Sequence, residues 1–400
     1  MGTPPLPIGA RIRSVRERTG RTQAAVAGPC GIAVDYLSQI ERGIKTPSLP
    51  VLQALAAELG VPVAALLGET PARPAAPACS MDVDVAQALM GYGLPRSTAP
   101  TMPAALRERV EAAWRIWQNS PRRYTDAAGI LPQLIADTEH TVRTHRAAAD
   151  PAARREVLRA AADLYFLLRS YCRRTGRVDL SLMVADRGLR AAEDADDPIR
   201  IAAAQWNLGH VLLADGDYDG AEHVTEHAIE QLTGLPHPEG TAMAGALDLV
   251  AVVADARRRR PWQARHRLQT AALPRARRSG EGNTMWTVFG PTNVGLHGVS
   301  IDMESGDVAE ALRAADRIDT SCLPSRERHF TFLLEVARCY DLRREDPAVL
   351  VHLLDLEDLA PEDLARSPLA RDIITGLRRR VRPTYRRQVE GLAERLDLTG

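Results

Sequence analysis

Lysine is nearly absent from this chain: Lys45 is the only one among 51 basic residues, so the other fifty are arginines. A bias that strong follows base composition, and any single arginine is a weaker sign of phosphate recognition than usual. Aromatic residues make up only 4% of the 400 positions, which argues against stacking platforms for single-stranded nucleic acid. Net charge is also missing, with 51 basic against 51 acidic residues. That excludes a uniformly basic nucleic-acid coat or a polybasic membrane binder. The five cysteines, Cys30, Cys79, Cys172, Cys322 and Cys339, form no CxxC pair and suggest neither a disulfide framework nor a thiolate zinc site. Met1 to Ile8 lacks the basic-then-apolar order of a signal peptide. The most apolar window, Ala242 to Ala254, is too short to span a membrane and contains Asp248. The expectation is a cytoplasmic protein with reduced thiols and no membrane partner.

What is present is helical periodicity. No run of alternating β-branched residues argues for a sheet, so an all-α fold is expected. Residues 1–69 read as short helices separated by turn signals. Residues 70–103 read as a Pro/Ala-rich linker carrying Pro71, Pro74 and Pro77, then a second polar stretch from Pro95 to Pro103. Residues 104–400 read as a helical-repeat domain of about ten to thirteen helices, by analogy with helix-pair solenoids.

Within the first segment, Thr22 is placed to cap a helix through Ala25 and Val26. Gly31 supplies a tight turn, and Ile32, Leu37 and Ile40 form the inward side of the next helix. Pro47-Ser48 starts a further helix with Leu52, Leu55, Ala56 and Leu59 on one face, Gly60 ends it, and Leu66-Leu67 closes the core. From Ile8 to Pro47, seven basic residues (Arg11, Arg13, Arg16, Arg18, Arg21, Arg42, Lys45) stand against Glu17, Asp35 and Glu41. This leaves +4 in a neutral chain.

Residues 8–69 resemble the Cro/lambda-repressor (XRE) helix–turn–helix family, without a gap from Thr22 to Gly43. The resemblance implies a five-helix DNA-binding domain whose third helix lies in the major groove. Carried over position by position, Val34, Asp35, Ser38 and Gln39 would face base edges. Gln23, Arg42 and Lys45 would hold phosphates, and Arg16 and Glu41 would form a structural ion pair. Gln39 has the chemistry for a paired contact with adenine, worth about 1–3 kcal/mol of discrimination. Two departures stand out. Ala33 sits where the family usually has a capping Ser or Thr, and Gly28-Pro29 interrupts the second helix.

In the long helical region, Asn207-Leu208-Gly209, Gly216-Asp217-Tyr218-Asp219, Ala221 and Ala228 resemble a tetratricopeptide repeat. Ala264 with Ala271, and Gly306-Asp307 before Ala311, look like degenerate copies. A solenoid behind such an N-terminal module resembles peptide-sensing quorum regulators of the RRNPP type. It resembles actinobacterial XRE regulators with tetratricopeptide-like sensor domains more closely, through Phe289-Gly290-Pro291-Thr292-Asn293-Val294 and His297. Asn283, Thr284, Thr292, Asn293 and His297 gather amide, hydroxyl and imidazole groups beside Trp286 and Phe289, a mixed set suited to an amphipathic ligand or to helix capping. Asn207 is expected on a helix lining the concave face. The ligand-binding candidates are therefore Asn207, Asn283, Trp286, Phe289, Asn293 and His297.

His223-x-x-Glu226-His227 matches the H-x-x-E-H arrangement of inverted zinc peptidases but falls on a repeat helix with no third ligand apparent. No Walker loop, GxSxG elbow or dinucleotide fingerprint is present, so no cofactor, metal site or enzymatic role is expected. The sequence leads to a homodimeric regulator of double-stranded DNA with a palindromic operator, modulated by a small-molecule or peptide effector. The late helices from Ser367 to Leu396 are its candidate dimer contact. The alternative is an adaptor whose solenoid binds a partner protein while the N-terminal domain localises it on DNA. A deep pocket near Asn283–His297 would favour the regulator, and an open polar groove the adaptor.

Overall fold

The computed structural model describes residues 8–18, 21–59, 61, 63–67, 81–91, 99–146, 150–234, 237 and 239–398. The linker prolines Pro71, Pro74 and Pro77, the helix stop Gly60 and the start of the stretch at Pro95 lie outside the described residues. The chain divides into two compact units, residues 1–78 and 79–400.

Among its described residues the first unit holds five short helices: α1 (Ile8–Arg18), α2 (Gln23–Ala27), α3 (Val34–Glu41), α4 (Leu49–Glu58) and α5 (Val63–Leu67). None is long enough to persist alone, so burial of one apolar stripe from each must hold them. Ile12, Val26, Leu37, Ile40, Leu55 and Leu66 supply that core. Two backbone approaches set its geometry. Gly9 on α1 lies so near α3 that a Cβ would stand 1.9 Å from the Ile40 carbonyl oxygen. Gly31 takes φ +66° in the turn before α3, where a side chain would be strained. The Thr22 hydroxyl accepts from the Ala25 amide at 3.2 Å, as the sequence predicts. As also predicted, Ala33 gives α3 no side-chain cap, and the chain leaves α2 at Gly28-Pro29 for a turn.

The second unit begins with α6 (Val83–Met90), inside the stretch expected to be linker. Its presence has a local cause: Asp82 accepts from the Asp84 and Val85 amides, and Val85, Ala88 and Leu89 recur on one face and are buried. Then follow α7 (Pro103–Asn119), α8 (Arg123–His145), α9 (Pro151–Arg174), α10 (Val178–Asp194), α11 (Pro198–Asp215), α12 (Tyr218–Leu232) and α13 (Gly240–Arg257). Helices α14 (Pro261–Arg267) and α15 (Leu273–Ser279) are joined by a π-helical turn, Leu268–Ala272. Pro274 lacks an N–H and breaks the ordinary ladder there. The chain continues through α16 (Pro291–Glu304), α17 (Val308–Ala315), α18 (Arg326–Leu342), α19 (Asp346–Leu359), α20 (Pro361–Arg366), α21 (Pro368–Arg380) and α22 (Pro383–Arg395). Among the described residues, sixteen α-helices from α7 onward exceed the ten to thirteen expected. The difference comes from prolines that restart short helices at Pro361, Pro368 and Pro383.

Five helix pairs repeat along the unit. In α9–α10, α11–α12, α13–α14, α16–α17 and α18–α19 the first helix packs on the second. The first helices α9, α11, α13, α16 and α18 also pack on one another in sequence, forming an inner row. The predicted repeat is the α11–α12 pair. A Cβ on Gly209 would meet Val250 at 2.9 Å and Thr225 at 3.2 Å, so this glycine lets α11 approach both α12 and α13. Ala221, Ala228, Ala264 and Ala311 are fully buried at the other crossings. The row curls back on itself, with α18 packing against α7. Arg326 Nε donates to the Asn119 carbonyl at 2.9 Å, and buried Arg123 reaches Asp363 at 2.5 Å.

Candidate functional site

Two arrangements stand out, one in each unit. In the first, α2, the Gly28–Gly31 turn and α3 form a helix–turn–helix fixed by buried charge. Arg16 donates from Nε to Glu41 Oε1 at 2.6 Å and from Nη2 to Oε2 at 2.9 Å, and both residues are buried (9% and 6% exposed). A bidentate pair of this kind locks orientation as well as charge. Burial works to raise the Glu41 carboxyl, but hydrogen bonds from Arg16 and Gln23 outweigh it and hold the group below its ordinary value.

With the inner face of α3 anchored, its outer face is set. Val34 is 43% exposed, Asp35 is exposed, and Ser38 and Gln39 are half-buried on the same helix. Arg42 and Lys45 are exposed just beyond it, where the Ile44 and Lys45 amides donate to the Gln39 carbonyl. The Lys45 ammonium lies 5.4 Å from the Tyr36 ring centre, a contact the sequence reading did not include. Gln23 stands apart from the other named positions: its amide already donates to Glu41 Oε2 at 2.7 Å.

The second arrangement is a cavity of about 190 Å³ on the inner row of the second unit. Of the six residues expected to bind a ligand, Trp286, Asn293 and His297 line it. The other three stand behind the wall. Asn207 accepts from Arg169 Nε at 2.6 Å, and Asn283 donates to Gln118 Oε1 at 2.7 Å. Phe289 lies in the core against Gly245, where even a Cβ would come within 2.0 Å of the ring.

The Trp286 segment is unusual backbone. Met285, Trp286 and Val288 have φ of +47°, +61° and +57°, a costly region for side chains and most of all for a β-branched one. Gln118 pins the segment by donating to the Trp286 carbonyl at 3.0 Å, while the Val288 amide donates to Asn283 Oδ1 at 3.1 Å. Trp286 stacks on Trp114 with ring centres 5.2 Å apart and planes 4° apart.

Sequence reasoning missed the dominant chemistry of this cavity, which is arginine. Arg169, Arg173, Arg174 and Arg328 line it, with Glu327 as the carboxylate among the lining residues. Glu327 is taken up by Arg174 and by Arg123 at 3.3 Å. Burial, then repulsion from Arg173, pulls Arg169 down to about 9, and burial with repulsion from Arg174 pulls Arg173 down to about 10. Both stay charged at neutral pH. His297 is brought down to about 3 by burial and by Arg328, so it is neutral. The signal was available as Arg169-x-x-x-Arg173, a same-face spacing closing an apolar run from Leu164, but the arginine bias of the whole chain masked it.

Elsewhere, His223 and His227 are exposed on α12, and Glu226 accepts from Arg267 Nη1 at 3.1 Å. Among the described residues no group of three His, Cys, Asp or Glu side chains is placed to hold a metal ion, and no helix is long and apolar enough to cross a membrane.

The geometry of the first unit defines a helix–turn–helix protein. Residues 7–67 match the family described as helix-turn-helix domain. The HTH-type transcriptional regulator YazB of Bacillus subtilis is 42% identical over 53 residues, which cover 13% of this chain and 77% of that one. The immunity repressor protein of Bacillus phage phi105 is 39% identical over 62 residues, 16% of this chain and 43% of that one. The chain belongs to the helix–turn–helix family of transcriptional regulators, and it spans about half the length of several of the curated relatives it matches, 43% to 57% of them. The crystal structure of Bacillus thuringiensis PlcR in complex with the peptide PapR7 and DNA is similar at 13% identity and a TM-score of 0.32. That likeness covers 88% of this chain and 98% of that one.

Proposed function

We propose that the protein is a sequence-specific, DNA-binding transcriptional regulator, active as a homodimer, whose helical-repeat unit binds an effector that modulates DNA binding. One observation carries the first part: α3 turns Val34, Asp35, Ser38 and Gln39 outward while a buried bidentate ion pair holds its other side. Gln39 has both a donor and an acceptor for an adenine edge, whereas Arg42 and Lys45 offer charge to phosphate. Gln23 contributes mainly by fixing Glu41.

A single recognition helix makes few base contacts, so dimerisation is the economical route to selectivity, with half-sites about 10 bp or a multiple apart. Helices α21 and α22 are the proposed pairing surface. The cavity supports an effector over a partner protein, because an adaptor would need an open groove. The strained segment Met285–Val288 is the proposed responsive element, since seating a molecule against Trp286 would relieve or redistribute that strain.

Selection of bound sequences from random double-stranded DNA, followed by fluorescence anisotropy, tests the reading. Gln39→Ala should lose discrimination at one position of the operator, and Arg42→Ala should weaken all sequences alike and lower the salt slope by about one. Full operator affinity and selectivity in both variants would remove α3 as the reading helix. Native mass spectrometry of the free protein checks the dimer.

A further inference from the structure

A cavity wall normally pairs the charges it buries. Here three guanidinium groups face one space, and none forms an ion pair among the described residues. The Arg173 guanidinium makes no hydrogen bond among the described residues either, and its Nε is buried without a partner. Arg169, only 3% exposed, spends Nε on Asn207 and leaves both terminal nitrogens unbonded. Arg328 spends Nε on Asn293 at 2.6 Å, and its Nη2 is buried and unpartnered. Leaving the buried Arg173 and Arg328 donors unmet is expensive, and an anion in the cavity would satisfy them together with the Arg169 terminal nitrogens.

Beside them lies apolar, planar surface: Trp286 on its stacked partner Trp114, and Trp206, over which the Arg169 guanidinium sits at 5.4 Å. The amides that might have paired with a peptide backbone are already engaged, Asn207 by Arg169, Asn293 by Arg328 and Asn283 by Gln118. We propose that this cavity takes a small organic acid, its carboxylate or phosphate head on Arg169, Arg173 and Arg328 and its planar apolar body along Trp286 and Trp206. This rests on the reading that the cavity is the effector site, and it names the chemical class of that effector.

Titration of the full chain with phenylacetate, phenyl phosphate and neutral phenylacetamide, followed by calorimetry and thermal melting, tests it. At least one acid should bind about tenfold or more tightly than the amide, since a charge-assisted hydrogen bond is roughly twice as strong as a neutral one. Preference for phenylacetate assigns the head as carboxylate, and preference for phenyl phosphate assigns it as phosphate. Arg173→Met should abolish the acid preference while melting no lower than wild type, because it removes an uncompensated buried charge. Arg328→Gln supplies the same binding test if the first variant fails to fold. Equal binding of acids and amide, no binding by either acid at millimolar concentration, or a preserved preference in the variants would overturn the proposal. Acids that bind without changing operator affinity would leave the anion site standing and refute the effector reading. An operator response to some neutral compound, with no acid binding, would do the reverse.

Discussion

Replacing Glu41 by Ala strips the first unit of the group that ties three segments together. The carboxylate accepts two hydrogen bonds from Arg16 and one from Gln23, and Arg16 also donates from Nη1 to the Arg21 carbonyl at 2.9 Å. Without Glu41, the buried Arg16 guanidinium loses its bidentate partner and keeps the half-exposed Glu17 carboxylate at 3.6 Å, and breaking a buried pair in this way costs about 3–5 kcal/mol. A unit of about 60 residues has about 3–9 kcal/mol of stability to lose, at roughly 0.05–0.15 kcal/mol per residue. The variant should therefore populate an unfolded N-terminal unit at 37 °C while leaving the repeat unit intact. Every tryptophan of the chain lies at position 114 or beyond, so fluorescence melting follows the second unit alone. Hydrogen exchange of peptides from residues 8–67 follows the first. The expected result is lost protection there, lost DNA binding and an unchanged tryptophan melt. Arg16→Met with Glu41→Leu should restore much of the protection, because the cost lies in keeping a buried charge whose buried partner has been removed. Wild-type protection in Glu41→Ala, or a double variant as unprotected as the single one, would refute the reasoning. The sign with pH is also set. Glu41 has a lowered folded value, so its contribution is present above the ordinary carboxylate range and fades as pH falls through that lowered value. In Glu41→Ala this part of the acid sensitivity should vanish.

Two further variants test backbone approaches. Gly9→Ala would place a methyl group 1.9 Å from the Ile40 carbonyl oxygen, so α1 must move away from α3. A loss of about 1–3 kcal/mol or more is expected, read as faster exchange across residues 8–41 and weaker DNA binding. Gly245→Ala would drive a methyl group into Phe289, 2.0 Å away, and so displace the chain just after the strained segment. Its expected mark is an altered Trp286 emission with about 1–3 kcal/mol of lost stability in the tryptophan melt, and an unchanged spectrum would detach Phe289 from the cavity wall.

Local features were readable from neighbouring residues. Thr22 capping α2, the missing cap at Ala33 and the turn at Gly31 each rest on neighbours within a few residues, and each was legible. The same holds for the Arg16–Glu41 pair and the small residues at helix crossings, because a known family pattern and a repeat pattern place them. Helix α6 escaped notice because flanking prolines disguised eight residues whose burial depends on contact with α8.

The cavity is a product of long-range packing. Whether Asn207 faces a ligand or braces an arginine depends on α9 lying beside α11, and the curl of the inner row that brings α18 to α7 is written in no local pattern. The arginines were visible from the start as an excess of one residue type. What made three of them a site was that the lining carboxylate Glu327 pairs with Arg174 and Arg123 and leaves them without an ion pair, in a pocket lined by helices more than a hundred residues apart. Charge compensation is a property of proximity in space, and sequence order does not encode it.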